Sequence, residues 1–170
     1  MGRVHARKRR KDKAVKTIDE LLDAAIDYAR FTLVGHKDAE LVPVFFIHYE
    51  DKNQPDTMVS APWGDEDHKV MVIRAMRRML SVTNAHSYWF VTEAWMAYEN
   101  TRHPTGLMPS EREDKREVVI VNAFDRRGGK MRVYEICRNP DGVVIELVGD
   151  PEDDDIQFKG RMFNLFNGEG

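Results

Sequence analysis

The second half of the chain carries the pattern that most constrains its fold, because apolar segments alternate there with short turn sequences. The apolar segments cover residues 118–124, 131–137 and 143–148. Residues 127–129 (Arg-Gly-Gly) and 139–142 (Asn-Pro-Asp-Gly) lie between them, and sequences of this kind form the tight turns of β-hairpins. The pattern predicts a three-stranded antiparallel meander with an apolar face that other elements must cover.

Two helices are predicted in the first half of the chain. Thr17 and Glu20 have the spacing of a capping box, in which the hydroxyl and the carboxylate each bind a backbone amide at the helix start. Apolar residues then recur at helical spacing until Gly35, which favours a left-handed stop. Asp65 is placed to cap a second helix that ends near Asn84.

Three more segments have the composition of strands, at residues 44–49, 57–61 and 88–98. Together with the meander they predict an α+β fold. In that fold, two helices pack on one face of a five- or six-stranded, mainly antiparallel sheet, because the helices are the elements available to cover its apolar face.

The chain divides by charge into an arm, a domain and a tail. Residues 1–16 contain eight lysine and arginine side chains against one acidic residue. This basic arm has too few apolar groups to offset the entropy lost on ordering, so we predict that it is disordered on its own. A length of 170 residues suits one domain, which we place at 17–149. Residues 150–170 follow as an acidic stretch and an apolar tail.

Clustered lysine and arginine side chains bind phosphates and release counterions, so the arm predicts salt-dependent binding to nucleic acid. The first hypothesis is therefore a non-enzymatic binding or accessory protein that contacts nucleic acid. The alternative is an arm that stays solvated or docks on an acidic protein surface, such as residues 150–155 of this chain. The side chains predicted to contact phosphates are Arg7, Lys8, Arg9, Arg10, Lys11 and Lys13.

A second candidate region surrounds Glu93, which shares a strand face with Trp95. A carboxylate in such a strand either pairs with a base or belongs to a site with a shifted pKa, and ion pairing is the favoured interpretation. The connection 99–116 is long for a compact domain, which is typical of functional or mobile loops. The candidate pocket consists of Glu93 and Trp95 from the strand and His103 and Ser110 from this loop. The second hypothesis is a small metal-dependent enzyme that uses Glu93 and the loop.

Other chemistries find no support in the sequence. Cys137 is the one cysteine, which excludes an intrachain disulfide and a metal site built on paired cysteines. There is no glycine-rich phosphate loop, and Ser110 lacks the surroundings of a nucleophile elbow. The sequence thus assigns no catalytic residue, metal ligand or cofactor. No apolar segment reaches the roughly 18 residues of a membrane helix, so we expect a cytoplasmic protein without a membrane partner.

The apolar tail resembles the short peptides that bacterial DNA polymerases and their partners insert into the sliding clamp. The resemblance rests on residues 162–166 (Met-Phe-Asn-Leu-Phe), because those peptides end in Leu-Phe and usually occupy a free terminus. Met162 stands where the peptides have glutamine. The resemblance implies a third hypothesis, an adaptor that docks Phe163, Leu165 and Phe166 in a protein partner. The alternative is a tail that closes the domain's own core.

Residues 138–148 resemble the Asp-Pro-Asp-Gly-Asn…Glu-Leu hairpin of the glyoxalase/dioxygenase superfamily. The resemblance implies that Glu146 is a metal ligand and that an upstream strand supplies a histidine, for which His48 is the candidate. That family closes its metal site with two such units, and this chain offers one, in which Val143 replaces the asparagine. The alternative is an ordinary turn after which Glu146 faces water.

A further resemblance extends over about residues 17–148. Residues 92–95 (Thr-Glu-Ala-Trp), 109–110 (Pro-Ser) and 114–118 (Asp-Lys-Arg-Glu-Val) resemble a pattern in uncharacterised bacterial and phage proteins. The resemblance implies that a long strand, a loop and the start of the next strand belong to one unit. It assigns no activity.

Overall fold

The computed structural model of the protein describes residues 15–51, 53–97, 106–149 and 164–166. These residues form two α-helices, six strands and one short 3₁₀ helix, and the α+β class predicted from the sequence is confirmed. The elements in chain order are α1 (Ile18–Leu33), β1 (Val44–Tyr49), β2 (Thr57–Ser60), α2 (Glu66–Val82), β3 (Ala85–Met96), the 3₁₀ helix (Pro109–Glu111), β4 (Arg116–Asp125), β5 (Gly128–Arg138) and β6 (Val144–Gly149).

Both helices begin where their capping residues predict. The Glu20 N–H donates to the Thr17 hydroxyl at 3.2 Å, and the Thr17 N–H donates to the Glu20 carboxylate at 2.7 Å, which completes the capping box. At the start of α2, the Asp65 carboxylate accepts the N–H of His68 at 2.7 Å. These bonds satisfy amides that have no partner within the helix.

The six strands form one sheet in the order β2-β1-β3-β4-β5-β6, and every neighbouring pair is antiparallel. Strands β4, β5 and β6 are joined in sequence by tight turns, so the predicted meander is confirmed. Strands β1 and β3 extend it on the other side of β4. Strand β3 begins at Ala85, three residues before the predicted start.

The prediction that both helices pack on one face of the sheet is wrong, because α1 and α2 lie on opposite faces. Helix α1 packs on a cluster that includes Trp89 and Val91, whereas α2 packs on one that includes Tyr88 and Phe90. Successive side chains of a strand point to opposite faces, so these alternating residues assign one helix to each face. The run from Tyr88 to Val91 is buried throughout, as expected for a strand covered on both sides.

Neither α1 nor α2, the two α-helices of the described ranges, combines the length and the apolar character needed to span a bilayer.

Candidate functional site

One end of the sheet brings together the beginning of α1, the end of α2 and the turn between β4 and β5. On one face, the Nζ atom of Lys130 lies 2.9 Å from Asp19 Oδ1 in the first turn of α1. On the other face, Arg126 in the turn donates to Asn84 Oδ1 at 2.9 Å, directly after α2. The arm therefore joins the domain at this end, through the exposed Lys16. We call it the basic end and define it by Lys16, Arg126, Arg127 and the exposed arginines Arg74 and Arg78 of α2, although Asp19, Glu50 and Asp125 lie at the same end.

Helix α2 carries an excess of positive charge beyond its first turn. After Asp67 it contains no acidic residue, and its second half carries three arginines. Arg74 and Arg78 are exposed and, four residues apart, lie on the same side of the helix. Among the residues that the structure describes, neither of them nor Arg126 forms an ion pair. An anion could therefore approach these three guanidinium groups without displacing a carboxylate among the described residues, although Nη2 of Arg126 already donates to Asn84 Oδ1 and to the Ala85 carbonyl.

Other cations near this end are held by the protein's own carboxylates. Lys130 and Arg132 pair with Asp19, and Arg132 also pairs with Asp23. The Nε atom of Arg127 lies 3.6 Å from Asp125 Oδ2, but its side chain is 88% exposed. Arg127 therefore remains accessible to solvent, whereas Lys130 and Arg132 hold α1 against β5. The arm residues predicted to contact phosphates, 7–13, lie outside the described residues.

The opposite end of the sheet carries a cleft of about 410 Å³, which we call the Glu93 cleft. It lies where β3 ends and β4 begins, because Trp95 pairs with Glu117 in the strand register. The loop after α1 forms its other wall. The charged and aromatic side chains that line it are Asp38, Glu40, Glu93, Trp95, Glu117 and Arg138. Of the four residues predicted for a pocket, the structure thus brings Glu93 and Trp95 together.

Arg138 closes one side of the Glu93 cleft through a two-pronged ion pair. Its Nη2 atom donates to Glu117 Oε1 at 2.7 Å and its Nε atom donates to Glu117 Oε2 at 2.9 Å. The same guanidinium donates to the carbonyls of Ala39 and Gly142 at 3.1 and 3.3 Å. Four bonds of this kind fix the guanidinium plane, so Arg138 ties β5 to β4 and to the loop after α1. The Glu117 bonds also raise the pKa of Arg138.

Among the described residues, Glu93 does not form the ion pair that we expected from the sequence, because the nearby arginine is paired with Glu117. Instead, Glu93 Oε1 accepts the N–H of Leu41 at 2.7 Å. Burial raises the pKa of Glu93, and the charges of Glu117 and Glu40 add to this, whereas the Leu41 N–H and Arg138 oppose it. Glu93 is therefore a carboxyl group held in a partly desolvated cleft.

Trp95 forms the exposed aromatic wall of the cleft, with 47% of its surface accessible to solvent. The ammonium of Lys115 lies 4.9 Å from the centre of its ring and also donates to the carbonyl of Ser110 at 2.7 Å. Ser110 thus reaches the cleft only through its backbone and Lys115. His103 lies outside the described residues. Sequence reasoning missed Arg138, Glu117 and Lys115, because only the strand register brings them to Trp95.

The described residues contain no group of three or more histidine, cysteine, aspartate or glutamate side chains that could hold a metal ion. The two residues that the glyoxalase resemblance pairs are also far apart. His48 lies on β1 and Glu146 on β6, four strand positions away, which is about 19 Å across a sheet. His48 Nδ1 is instead 2.9 Å from Asp56 Oδ2. One chain therefore cannot place both residues on the same ion.

No family model, curated protein or solved structure matches this chain.

The end of the tail packs into the α2 side of the domain. Leu165 is buried, with 2% of its surface exposed, and its N–H donates to the Tyr88 hydroxyl at 2.9 Å. Phe166 lies against the ring of Tyr88 and under the guanidinium of Arg126. Phe163 lies outside the described residues. To enter a partner's groove, Leu165 would first have to leave the protein's own core.

The Glu93→Gln variant is expected to gain stability relative to the native protein as the pH rises from about 4 to 7. A carboxyl group whose pKa is raised by folding holds its proton more tightly in the folded state. Its contribution to the free energy of unfolding is therefore most favourable below the pKa of the unfolded state, about 4.3. That contribution declines as the pH rises toward the higher pKa of the folded state. Glutamine cannot ionise and avoids this loss.

Urea unfolding of both proteins at a series of pH values measures the difference. Glu146→Gln, which removes the same kind of charge from exposed strand β6, controls for a change in net charge. A difference between Glu93→Gln and the native protein that stays constant over this pH interval would contradict the prediction.

Proposed function

We propose that this protein is a nucleic-acid-binding accessory protein that contacts the phosphate backbone with its basic arm and the basic end of its domain. The observation that supports the proposal best is the position of α1. Its first turn, which follows the arm in the chain, lies at the same end of the sheet as the β4–β5 turn and the C-terminal end of α2, a helix whose second half carries Arg74 and Arg78. Three segments distant in sequence thus meet at one end of the sheet, with α1 and α2 on its opposite faces.

The charge of the rest of the chain restricts a polyanion to this region. The arm holds eight of the 26 lysines and arginines and one of the 29 acidic residues, so residues 17–170 carry 18 basic and 28 acidic side chains. An acidic domain repels phosphate over most of its surface and leaves the basic end as the favourable approach. The positive end of the α1 dipole lies there too. Binding is therefore expected to have a preferred orientation.

The proposal assigns phosphate positioning to the protein and no reading of base sequence. Arg74, Arg78 and Arg126 have no acidic partner among the described residues, so a phosphate would not have to displace one. Arginine binds phosphate oxygens with two parallel N–H groups, which favours these guanidinium groups over lysine for a fixed contact. Contacts to phosphate alone give an affinity that depends on salt and little on sequence.

The Arg74→Ser/Arg78→Ser double variant is expected to bind a fluorescein-labelled DNA duplex more weakly at low salt. Each lost phosphate contact reduces the slope of log affinity against log salt by about 0.9. If both arginines contact phosphates, the slope falls by about 1.8. Both side chains are exposed, so the fold should be unaffected. Fluorescence anisotropy over a salt series measures affinity and slope together.

Arg30→Ser/Lys37→Ser is the matched control, since it removes two exposed cations near the end of α1, away from the basic end. It should leave the slope unchanged. Equal effects of the two double variants would mean that net charge alone, and no particular surface, governs binding. Absence of binding by the native protein at low salt would refute the proposal.

A further inference from the structure

We propose that the Glu93 cleft is a binding site for an alkylammonium group, such as that of a small amine or of a lysine side chain. This inference is independent of nucleic-acid binding, because the cleft and the basic end lie at opposite ends of the sheet. The cleft combines an excess of carboxylates with an exposed aromatic wall. Those two features together favour a cation with an apolar stem.

The carboxylates of the cleft exceed the bases that could neutralise them. Glu117 is paired with Arg138, whose remaining donors bind backbone carbonyls. Asp38, Glu40 and Glu93 form no ion pair within the ranges that the structure describes. The last turn of α1 ends just before this loop and adds the negative end of its dipole. A cation in the cleft would thus meet a negative potential from several directions.

The aromatic wall already has a cation against it. The ammonium of Lys115 lies 4.9 Å from the centre of the Trp95 ring, within the distance at which the ring quadrupole attracts a positive charge. The geometry suits an ammonium group, and an added amine would have to use the part of the ring that Lys115 leaves open. Trp95 remains 47% exposed, so part of the ring is open to a second molecule.

Glu93 gives the site a polar anchor at its inner side. Its Oε1 atom is held by the Leu41 N–H at 2.7 Å, which orients the carboxyl group without neutralising it. Partial burial removes water from the Glu93 carboxylate. An ammonium group beside Glu93 would donate a charged hydrogen bond in place of that water. The volume of about 410 Å³ is within the range of small-molecule sites and exceeds what one ammonium group needs. A stem of several carbons fits there along the Trp95 ring.

The test is a titration of the full-length protein with 1,4-diaminobutane at low salt and neutral pH, followed through the indole N–H signal of Trp95 by NMR. We expect a saturable shift of that signal. 1,4-Butanediol has the same stem without charge and succinate carries the opposite charge, and neither should shift it. A parallel titration with N-acetyl-lysine methylamide distinguishes a free amine from a lysine side chain as the preferred source.

Glu93→Gln and Trp95→Leu test the two parts of the site separately. Each is expected to weaken binding by about fivefold, Trp95→Leu through the lost cation–π contact and Glu93→Gln through the lost charge. Because Trp95→Leu removes the indole signal, its affinity is measured by calorimetry. Glu146→Gln is the matched control for Glu93→Gln and should bind as the native protein does.

Three results would overturn the assignment. The first is the absence of a saturable Trp95 shift with either amine. The second is an equal shift with the neutral diol, which would mean that the cleft binds apolar stems and not cations. The third is an equal loss of amine affinity in Glu93→Gln and Glu146→Gln, which would mean that net charge alone explains the effect. None of these results bears on binding at the basic end, so the nucleic-acid proposal is tested separately.

Discussion

Removal of residues 1–16 is expected to lower the affinity for DNA and RNA by several orders of magnitude at low salt. The arm contains eight cations within 16 residues, and binding by such a segment is driven by the release of counterions from the phosphates. A protein with about 6–10 phosphate contacts loses about 10³–10⁵ in affinity between roughly 50 and 200 mM salt. Of the proposed phosphate contacts, the truncated protein keeps only the arginines of the basic end. Its affinity for nucleic acid and the salt dependence of that affinity should therefore both be small.

The measurement is fluorescence anisotropy with a labelled duplex and a labelled single strand, each titrated over that salt interval. The slope of log affinity against log salt should be steep for the full chain and shallow for the truncated one. The difference between the slopes counts the phosphates that the arm neutralises. A steep slope that survives truncation would place the phosphate contacts on the domain instead of the arm.

A full-length variant with a scrambled arm is the control for this truncation. It keeps the composition of residues 1–16 and changes their order, so counterion release is unchanged and binding should match the native protein. A second variant with glutamine at the arm's lysines and arginines should behave like the truncation. If scrambling abolished binding, the arm would act through a specific sequence, which favours docking on a protein surface.

The local structure of this protein could be predicted from its sequence because it depends on neighbours along the chain. The capping box of Thr17 and Glu20 and the cap at Asp65 require only residues three positions apart. The turns between β4, β5 and β6 follow in the same way from their glycine and asparagine content. These short-range signals predicted both helices and the meander.

The placement of the helices could not be predicted from the meander alone. An antiparallel sheet often exposes one face, which led to the expectation that both helices cover the other. The contrary signal was present in β3, where the apolar residues from Tyr88 to Val91 are continuous instead of alternating. A run of this kind indicates a strand covered on both faces, and here α1 and α2 cover one each.

The Glu93 cleft could be predicted only in part. Glu93 and Trp95 share a strand face two residues apart, and strand periodicity is sufficient to join them. Glu117 and Arg138 belong to two other strands and meet them through the register of β3 on β4 and of β4 on β5. The pairing of β5 with β6 also shifts by one residue beside Arg138. A shift of one residue reverses the face of every side chain, so the partner of an arginine there has no signature in the sequence.

The Leu165→Ala variant is expected to lose about 2–4 kcal/mol of the free energy of unfolding. Leu165 is 2% exposed and packs in the same cluster as α2, Tyr88 and Phe124. Truncation to alanine removes apolar contacts and leaves a cavity. The hydrogen bond from the Leu165 N–H to the Tyr88 hydroxyl holds the backbone in place, so the cavity is not expected to close fully. Urea unfolding, followed through the three tryptophans, measures the loss.

Met58→Ala is the control for this truncation, because it also shortens an apolar side chain but at a position that is 54% exposed on edge strand β2. It should change the stability by no more than about 0.5 kcal/mol. Tyr88→Phe then isolates the polar part of the contact and should cost about 1 kcal/mol, because it leaves the Leu165 N–H without its acceptor. If Leu165→Ala were as stable as Met58→Ala, the tail would contribute nothing to the core. Leu165 and Phe166 would then be free to dock in a partner, as the clamp-peptide resemblance implies.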